Sequence, residues 1–465
     1  MPKKNLHFHE HMAILVSCNE IHNNLMYVSD WKTFFLYENG HYIKLERDSF
    51  KRKIDPLIKR ELEDISVDDR LLDRVYDYMK TICTRRVSEV KTPYIAFSNQ
   101  LFNTETCKFE KFDREKIAIH FFDFPLKNFD YEEAKMPMFI NFLKTTLVEE
   151  DGETPDIELM HLAQQMFGYY LTNNLKGRIT FFLWGGGYNG KSKLCDLIIK
   201  IIGEKFCTSM TLEQLTMRPF STAQLVSKKL NVCNEESSKF IKDAMFKSLI
   251  SGEPISAERK NQDSFTFRPQ TKFLFATNEL PTFSSTSRAM LDRIIILPFY
   301  ADFNDPKKQM AKRDIDLFDK LLPEIPEIVK WSLQGMKDLV NNKYRFTEAT
   351  ACINCLSNYK RENSSAIAFL DDNYEFNINN YVINADLYGF YQNWCAVNGR
   401  KPLNSANFYR EICGHKGIKP ERIRHEGKLV RAYYISRLDE AEISASDGTV
   451  DPDVHIESKQ SDLKI

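Results

Sequence analysis

The chain has 465 residues, 43% of them hydrophobic and 28% charged, which is enough apolar material for roughly two to four packed domains. Lys and Arg total 64 and Asp and Glu total 65, a formal net charge of -1, so any nucleic-acid-binding surface has to be local. The ten cysteines are scattered, and the sequence has neither a secretory signal nor an apolar run long enough to cross a bilayer. We therefore expect a reduced, cytoplasmic protein without a membrane partner.

The first third of the chain alternates between strand-like and helical patterns, with a hairpin signal at Asn39-Gly40. The predicted elements are short strands over residues 12–47, charged helix over 49–86, short strands over 91–124 and helix over 139–172. No catalytic group of residues stands out among them. We predict a mixed α/β-to-helical amino-terminal domain and collar over residues 1–170, with a partner-docking domain and a plain scaffold as the alternatives.

A glycine-rich turn separates an apolar run from a helical stripe in RITFFLWGGGYNGKSKLCDLIIKII, residues 178–202. Gly185 and Gly190 have four residues between them and Lys191-Ser192 follow, which is the spacing of a phosphate-binding loop. Glycines let backbone N–H groups approach a triphosphate, the lysine reaches the β- and γ-phosphates, and the serine hydroxyl ligates Mg²⁺. The segment predicts a site for ATP and Mg²⁺ formed by Gly185, Gly186, Gly187, Tyr188, Asn189, Gly190, Lys191, Ser192 and Lys193.

Two carboxylates end the next apolar strand, in KKLNVCNEE at residues 228–236. A carboxylate at this distance after a phosphate loop can hold the Mg²⁺ shell and polarise the attacking water. We predict this catalytic and metal-binding role for Glu235, with Glu236 as the second choice.

Two further polar residues flank apolar strands. Asn278 ends the strand TKFLFAT, where an amide can hydrogen-bond the γ-phosphate or the attacking water and so sense hydrolysis. Arg293 immediately precedes the strand IIIL and is predicted to reach the ATP site of a neighbouring subunit, where it would stabilise the charge of the transition state. A structural salt bridge is the alternative for Arg293, and Arg288 is the rival for the same role.

Between these strands, residues 252–267 have the pattern of two β arms around a polar tip. Arg259 and Lys260 lie at the tip and are predicted to contact DNA phosphates rather than bases. A merely solvated hairpin tip is the alternative.

The ordered set GGGYNGKS, LNVCNEES, SGEPISAERKNQDSFTF, FLFATNELP and DRIIILPF resembles the superfamily III helicases. More narrowly, it resembles the phage/plasmid primase C-terminal and poxvirus primase-helicase group, over about residues 94–299. The resemblance implies an α/β, AAA+-like P-loop ATPase core, which we assign to residues 171–335, and a homo-hexamer that hydrolyses ATP between subunits. It also implies that hairpin tips carrying Lys260 line a channel and pull one DNA strand.

Two departures from that group matter. Ser192 is followed by Lys193 where the group usually has Thr, a change that retains the hydroxyl and ammonium positions. The first ninety or so residues are too few for the polymerising domain that precedes such helicases, so we expect a helicase that works without its own primase domain.

After a helical connector at residues 336–360, three predicted helices begin near Ala366, Ala385 and Ser405, and a hairpin covers residues 418–435. This order predicts a winged-helix domain over residues 361–437. Residues 400–437 hold ten Lys and Arg against three Glu, which is the local basic surface that the total charge hides. The predicted DNA contacts are Asn407, Arg410, Lys416, Arg422, Arg424, Lys428 and Arg431. A winged helix used for protein contact is the alternative, and residues 438–465 are expected to be an acidic, disordered tail.

Together these features and the resemblance predict an ATP-dependent DNA helicase, which the resemblance implies to be hexameric and to belong to a virus, phage or mobile element. It would unwind duplex DNA in replication initiation and recognise its origin through the winged helix, so both single- and double-stranded DNA are expected partners. Two alternatives remain open. One is an origin-binding ATPase switch without strand separation, and the other is a helicase module recruited by a separate initiator or primase.

Overall fold

The structure is a computed structural model that describes residues 4–29, 31–61, 67–85, 92–218, 220–237, 240–258, 263–283, 288–305 and 314–438. The chain divides into two compact units, residues 1–356 and residues 357–465. Within the described ranges, no helix combines the length and the apolar character needed to cross a membrane. The predicted hairpin-tip residues Arg259 and Lys260, and the predicted acidic tail after Leu438, lie outside the described residues.

A helix precedes the first small sheet. The elements are α1 (Lys4–Ile21), β1 (Leu25–Val28), β2 (Thr33–Glu38), β3 (His41–Leu45), α2 (Arg47–Glu61), α3 (Asp69–Ile82) and β4 (Thr84–Arg85). The strand order is β3-β2-β1-β4, and the β2–β3 hairpin turns at Asn39 and Gly40, both with positive φ. Phe34, Phe50 and Val75 are buried between this sheet and the helices.

The prediction of strands over residues 12–47 is wrong for residues 12–21, which continue α1, and is confirmed for the strands that follow. The physical reason is that the run AILV is uniformly apolar, and such a run fits a buried helix as well as a strand. The helices predicted over residues 49–86 are confirmed as α2 and α3.

A second small sheet and two helices follow, as predicted. They are β5 (Tyr94–Phe97), β6 (Leu101–Asn103), β7 (Lys108–Glu110), β8 (Ala118–Phe122), α4 (Pro137–Thr146) and α5 (Ile157–Leu171). The strand order is β7-β6-β5-β8. Asp156 begins α5 by accepting a hydrogen bond from Leu159 N at 2.9 Å, which satisfies one of the free N–H groups of the first turn.

The centre of the first unit is a parallel sheet with the strand order β10-β11-β15-β9-β17. Its segment of the chain contains β9 (Thr180–Trp184), α6 (Lys191–Ile202), β10 (Cys207–Thr208), α7 (Leu212–Met217), β11 (Leu230–Cys233), β12 (Phe240–Ile241), α8 (Asp243–Ser251), β13 (Ile255–Ala257), β14 (Phe265–Phe267), β15 (Lys272–Thr277), β16 (Thr282–Phe283), α9 (Arg288–Leu291) and β17 (Ile294–Pro298). β9 lies between β15 and β17 and is parallel to both. Because its run FFLW, residues 181–184, is apolar throughout, it suits a strand with both faces covered.

Three helices complete this unit or lead out of it: α10 (Leu317–Leu321), α11 (Ile325–Asn341) and α12 (Thr350–Asn363). α11 packs against α5 so closely that a Cβ on Gly168 would collide with the backbone of Met336, and one on Gly335 with the backbone of Gln164. Gln164 also donates a hydrogen bond from Nε2 to Trp331 O at 3.0 Å. The two helices therefore meet backbone to backbone.

The second unit has the predicted helices and hairpin. It contains α13 (Ser365–Asn373), β18 (Tyr374–Phe376), β19 (Val382–Ile383), α14 (Asn384–Val397), α15 (Ser405–Ile412), β20 (Pro420–His425), β21 (Lys428–Tyr433) and β22 (Ile435–Arg437). β18 pairs with β22, and β19 pairs with the β20–β21 hairpin through β21. The core brings Phe369, Tyr391, Phe408 and Tyr433 together from separate elements.

Candidate functional site

The predicted phosphate loop joins the end of β9 to the start of α6, at the carboxyl edge of the parallel sheet. Gly190 has a φ of +88°, and a Cβ there would lie 2.9 Å from Thr146 Cγ2, so a larger residue would be strained. By contrast, an added Cβ on Gly186 or Gly187 would have no atom within 4 Å among the described residues. The middle of the turn is open to a ligand, while its end is packed against α4.

The turn is fastened by the side chain that precedes Gly190. Asn189 is 3% exposed and donates hydrogen bonds from Nδ2 to Gly186 O at 2.7 Å and to Phe299 O at 3.3 Å. Tyr188 has a φ of +56° and points outward, with 61% of its surface exposed. The Asn189 side chain thus fixes the loop to Phe299, the residue after β17, and the exposed ring of Tyr188 is available to contact a bound group.

The first turn of α6 faces the loop without a side-chain cap in the described part of the chain, because its N-cap residue is Gly190. Ser192 is exposed and Lys193 is half-buried in this turn. A helix start of this kind presents uncapped N–H groups together with the positive end of the helix dipole. Both features favour an anion at this position.

Lys191 reaches back over the loop and is only 7% exposed. Its ammonium donates to Gly185 O at 2.8 Å, Gly186 O at 2.6 Å, Asn189 Oδ1 at 3.0 Å and Asn278 Oδ1 at 3.3 Å. Burial lowers the pKa of Lys191 to about 8, because the described surroundings offer dipoles but no carboxylate to offset the loss of water. A phosphate at this position would supply the missing negative charge.

Asn278 is brought to Lys191 by the sheet register. Thr277, the last residue of β15, pairs with Trp184, the last residue of β9, so the residues that follow these strands meet at one edge. Gly185 N also donates to Thr277 O at 3.3 Å. The predicted loop lysine and the predicted sensor amide are therefore in contact.

The two predicted carboxylates follow β11, which is the next strand along the same edge, and they differ in environment. Glu235 is exposed. Glu236 is 4% exposed, and its Oε2 accepts a hydrogen bond from Leu212 N, at the start of α7, at 2.7 Å. Glu236 thus holds a helix start, while the carboxylate of Glu235 is the one available to solvent.

Sequence reasoning missed Asn234, the residue directly after β11. Its Oδ1 is buried and has no hydrogen-bond partner among the described residues. It lies at the same sheet edge as Asn278, since Cys233 pairs with Phe275. The sequence signal for Asn234 was an amide placed between an apolar strand and two carboxylates, but only the two carboxylates were considered as functional groups.

Arg293 lies at the opposite edge of the sheet. Its carbonyl accepts a hydrogen bond from Thr180 N at 2.8 Å, where β9 begins, so the strand separates it from the loop by roughly 13 Å. Its guanidinium donates to Ala289 O and to Ser251 Oγ, the latter at 3.4 Å. The structure therefore does not bring Arg293 to the loop of its own chain. The rival, Arg288, is the first residue of α9.

The predicted hairpin is present as the antiparallel pair β13–β14, with Ile255 opposite Phe267. Ala257 and Phe267 are buried, which anchors the base of the hairpin in the first unit.

In the second unit, the predicted DNA contacts form one exposed group on the hairpin and others around α15. Arg422 pairs directly with Arg431 across β20 and β21, and Arg424 follows on the same face. Like charges placed opposite each other destabilise a strand pair unless an anion neutralises them. Lys428 is exposed beside the hairpin turn.

Around α15, Arg410 donates to Asn407 Oδ1 at 2.8 Å, so these two side chains act as one polar group. Lys416 lies 2.7 Å from Asp371 Oδ1, an ion pair that partly neutralises it. Its side chain still has 56% of its surface exposed.

Comparison with known proteins gives a matching family and two viral relatives. Residues 183–293 match a family described as "Family of unknown function (DUF5906)". "Putative helicase L207/L206" of Acanthamoeba polyphaga mimivirus is 26% identical over 191 residues, 36% of this chain and 20% of that protein. "Putative helicase 121R" of Invertebrate iridescent virus 3 is 26% identical over 244 residues, 48% of this chain and 25% of that protein. The chain thus spans a quarter or less of the length of these relatives.

Solved structures also resemble this chain. One is described as "The A form apo structure of NrS-1 C terminal region-CTR", with a TM-score of 0.45 and 13% identity, covering 89% of this chain and 96% of that one. A second, "The apo structure of NrS-1 C terminal region (305-718)", has a TM-score of 0.43 and 14% identity, with the same coverage.

Proposed function

We propose that the chain is an ATP-dependent DNA helicase with an AAA+-like P-loop core, working as a homo-hexamer in replication initiation within the host cell of a virus, phage or mobile element. The observation that carries the proposal is the contact of Lys191 with Asn278 beside the uncapped start of α6. Nucleoside triphosphatases use such an arrangement to hold phosphates. The similarity to viral proteins named as helicases supports coupling to DNA unwinding.

The residues at this sheet edge fit ATP and Mg²⁺. Lys191 and the N–H groups of the loop would bind the β- and γ-phosphates, and Asn278 would hydrogen-bond the γ-phosphate or the attacking water. Ser192 and Glu235, both exposed, would hold Mg²⁺, which takes its other ligands from phosphate oxygens and water. In the described ranges, no group of three His, Cys, Asp or Glu is arranged to hold a metal ion by itself. Magnesium binding is therefore expected to depend on the nucleotide.

For the attacking water, Glu235 is the stronger of the two carboxylates in this proposal. Its side chain is exposed at the sheet edge, whereas Glu236 is engaged by the backbone of α7. The buried amide oxygen of Asn234 beside them is a further group that a bound water could satisfy.

Arg293 would complete the site of a neighbouring subunit. Its location at the amino edge, away from the loop of its own chain, suits a role in trans and agrees with hydrolysis between subunits. Mixing Arg293→Ala and Lys191→Ala proteins should then restore part of the ATP hydrolysis that each lacks alone. No recovery in rings shown to contain both variants would refute the trans role.

DNA contact is proposed for two places. The tip of the β13–β14 hairpin, with Arg259 and Lys260, would contact the translocated strand, and the opposed Arg422–Arg431 pair supports phosphate binding by the second unit as a winged helix. Origin recognition would come from α15, through Asn407 and Arg410.

Unwinding of a forked duplex tests the proposal. The intact chain should separate the strands with ATP, and Lys191→Ala should abolish both hydrolysis and unwinding while leaving duplex binding unchanged. ATP-dependent assembly and binding of one duplex without strand separation would instead favour an origin-binding switch. Unwinding without any sequence preference would favour a helicase module recruited by a separate initiator or primase. Full hydrolysis by Lys191→Ala would refute the site itself.

A further inference from the structure

A cleft in the first unit lies away from the loop and its sheet edge. It is partly open to solvent, and its lining combines cationic, neutral polar and aromatic side chains. Lys228 and Lys229 directly precede β11, and Arg268 and Gln270 lie in the short segment between β14 and β15, so all four line the cleft at the amino edge of the parallel sheet. The remaining walls come from the two small sheets, from the residues that follow α5, from the segments before β10 and β11, and from Phe267 of β14.

Five cationic side chains line this cleft, namely Lys44, Lys205, Lys228, Lys229 and Arg268. Burial lowers the pKa of His120, which also lines it, well below the usual value, so His120 is neutral. No Asp or Glu lines it among the described residues. Lys44 alone of these cations forms an ion pair within the described part of the chain, with the exposed Glu46 at 2.6 Å.

The basic groups otherwise rely on neutral partners. Lys229 Nζ lies 3.2 Å from Leu171 O and 3.2 Å from His120 Nδ1, and Lys228 Nζ donates to Lys205 O at 2.8 Å. Burial lowers the pKa of Lys229 to about 7, and burial together with the charge of Lys44 lowers that of Lys228. Such uncompensated positive charge destabilises the folded state by itself, and departures of this kind are typical of functional sites.

Aromatic side chains form the apolar part of the same cleft. Trp31, Phe35, Phe206 and Phe267 all line it. Trp31 packs edge-to-face on Phe35, with ring centroids 5.7 Å apart, which holds its ring in place. A ligand that satisfies both halves of the lining needs a planar apolar group and a cluster of negative charge.

We propose that this cleft is a second nucleotide site, which binds a free nucleoside polyphosphate with its base against the aromatic residues and its phosphates among the lysines and Arg268. The ligand is a free nucleotide rather than a nucleic-acid strand, because the cationic and aromatic side chains converge on one cleft from several separate elements, whereas a strand is bound along a groove that tracks its backbone. The site is separate from the loop at Gly185–Gly190, since it lies at the amino ends of the strands whose carboxyl ends meet that loop. The inference does not rest on the proposed helicase function.

A bound nucleotide would also contact the base of the predicted DNA-contacting hairpin. Phe267 is the last residue of β14, and Arg268 follows it into the cleft. Occupancy of the cleft is therefore expected to influence the position of the hairpin.

The test uses the full chain carrying Lys191→Ala, which silences the loop, and a fluorescent N-methylanthraniloyl ATP as the probe. One equivalent per chain should bind. Lys205→Ala together with Arg268→Ala, both exposed positions, should weaken binding by roughly a hundredfold, on the order of tenfold for each cationic side chain removed. Lys200→Ala removes an exposed lysine of α6 that does not line the cleft, and should leave binding unchanged.

Competition identifies the ligand class. Unlabelled ATP should displace the probe, and tripolyphosphate, which lacks a ring, should displace it only at much higher concentration. Displacement by a twelve-residue oligo-dT at lower concentration than by ATP would overturn the proposal in favour of a nucleic-acid surface. Absence of binding in the Lys191→Ala protein, or binding that the double variant does not change, would also overturn it. ATP hydrolysis by the unaltered chain reports on the loop separately, so the two proposals fail independently.

Discussion

Replacing Lys191 with Met should abolish hydrolysis and yet stabilise the fold at neutral pH. The pKa of this lysine falls from 10.5 to about 8 on folding, which corresponds to about 3 kcal/mol. Because the folded pKa is the lower one, the ammonium is charged in both states below pH 8 and its burial destabilises the folded state there. Methionine fills similar space without charge but gives up the hydrogen bonds of Lys191, so we expect a net gain of about 1–3 kcal/mol at pH 7.

The pH dependence of the stability difference distinguishes the removal of a buried charge from a simple change in side-chain packing. Between pH 8 and 10.5 the unfolded chain binds more protons at this residue than the folded chain, so the unaltered protein gains stability as pH rises. The advantage of Lys191→Met should therefore fall to about 1 kcal/mol or less by pH 10.

The assay is urea unfolding of both proteins at pH 7 and pH 10, without nucleotide. Lys200→Met, at an exposed position on the same helix, is the matched control and should change the free energy of unfolding by less than about 0.5 kcal/mol at either pH. A Lys191→Met protein that is less stable than the unaltered one at pH 7, or a difference that does not change with pH, would refute the reasoning.

Three further predictions follow from the same sheet edge and from the basic hairpin. Glu235→Gln should remove most hydrolysis with unchanged thermal stability. Glu236→Ala should instead lower the free energy of unfolding, measured by urea titration, by about 1–3 kcal/mol, because the buried start of α7 loses its hydrogen-bond acceptor. Equal stability of the two variants would contradict this prediction. Gly190→Ala should lower nucleotide affinity and also stability, by about 1–2 kcal/mol from the positive φ alone, and unchanged unfolding would show that the turn relaxes. Arg422→Ala with Arg431→Ala should weaken duplex binding and reduce the slope of log affinity against log salt by about 2; an unchanged slope would argue against phosphate contact.

The sequence predicted the order of elements well where the pattern was strict. The alternation and turn residues of the first small sheets, the strand, loop and helix around Gly190, and the helices and hairpin of the second unit are all present. The apolar run within α1 was wrongly predicted as strand, because a uniformly hydrophobic run has no periodicity that distinguishes a helix from a strand.

Within the candidate site, the contact between Lys191 and Asn278 was predictable because parallel strands align their carboxyl ends. The different environments of Glu235 and Glu236 were not, because they depend on α7 supplying a backbone donor to one carboxylate. The basic cleft could not be predicted from the sequence either. Its lining comes from segments between Trp31 and Gln270, and no local pattern in the sequence relates them.

The backbone contact between α5 and α11 limits how this protein can move. Where side chains separate two helices, rotamer changes let the helices slide by small steps, but here Gly168 meets Met336 and Gly335 meets Gln164 with no side chain between them. Shifting either helix by one residue would put a Cβ where the opposing backbone now lies. The two helices therefore cannot slide past each other, and α5 and α11 can move only together.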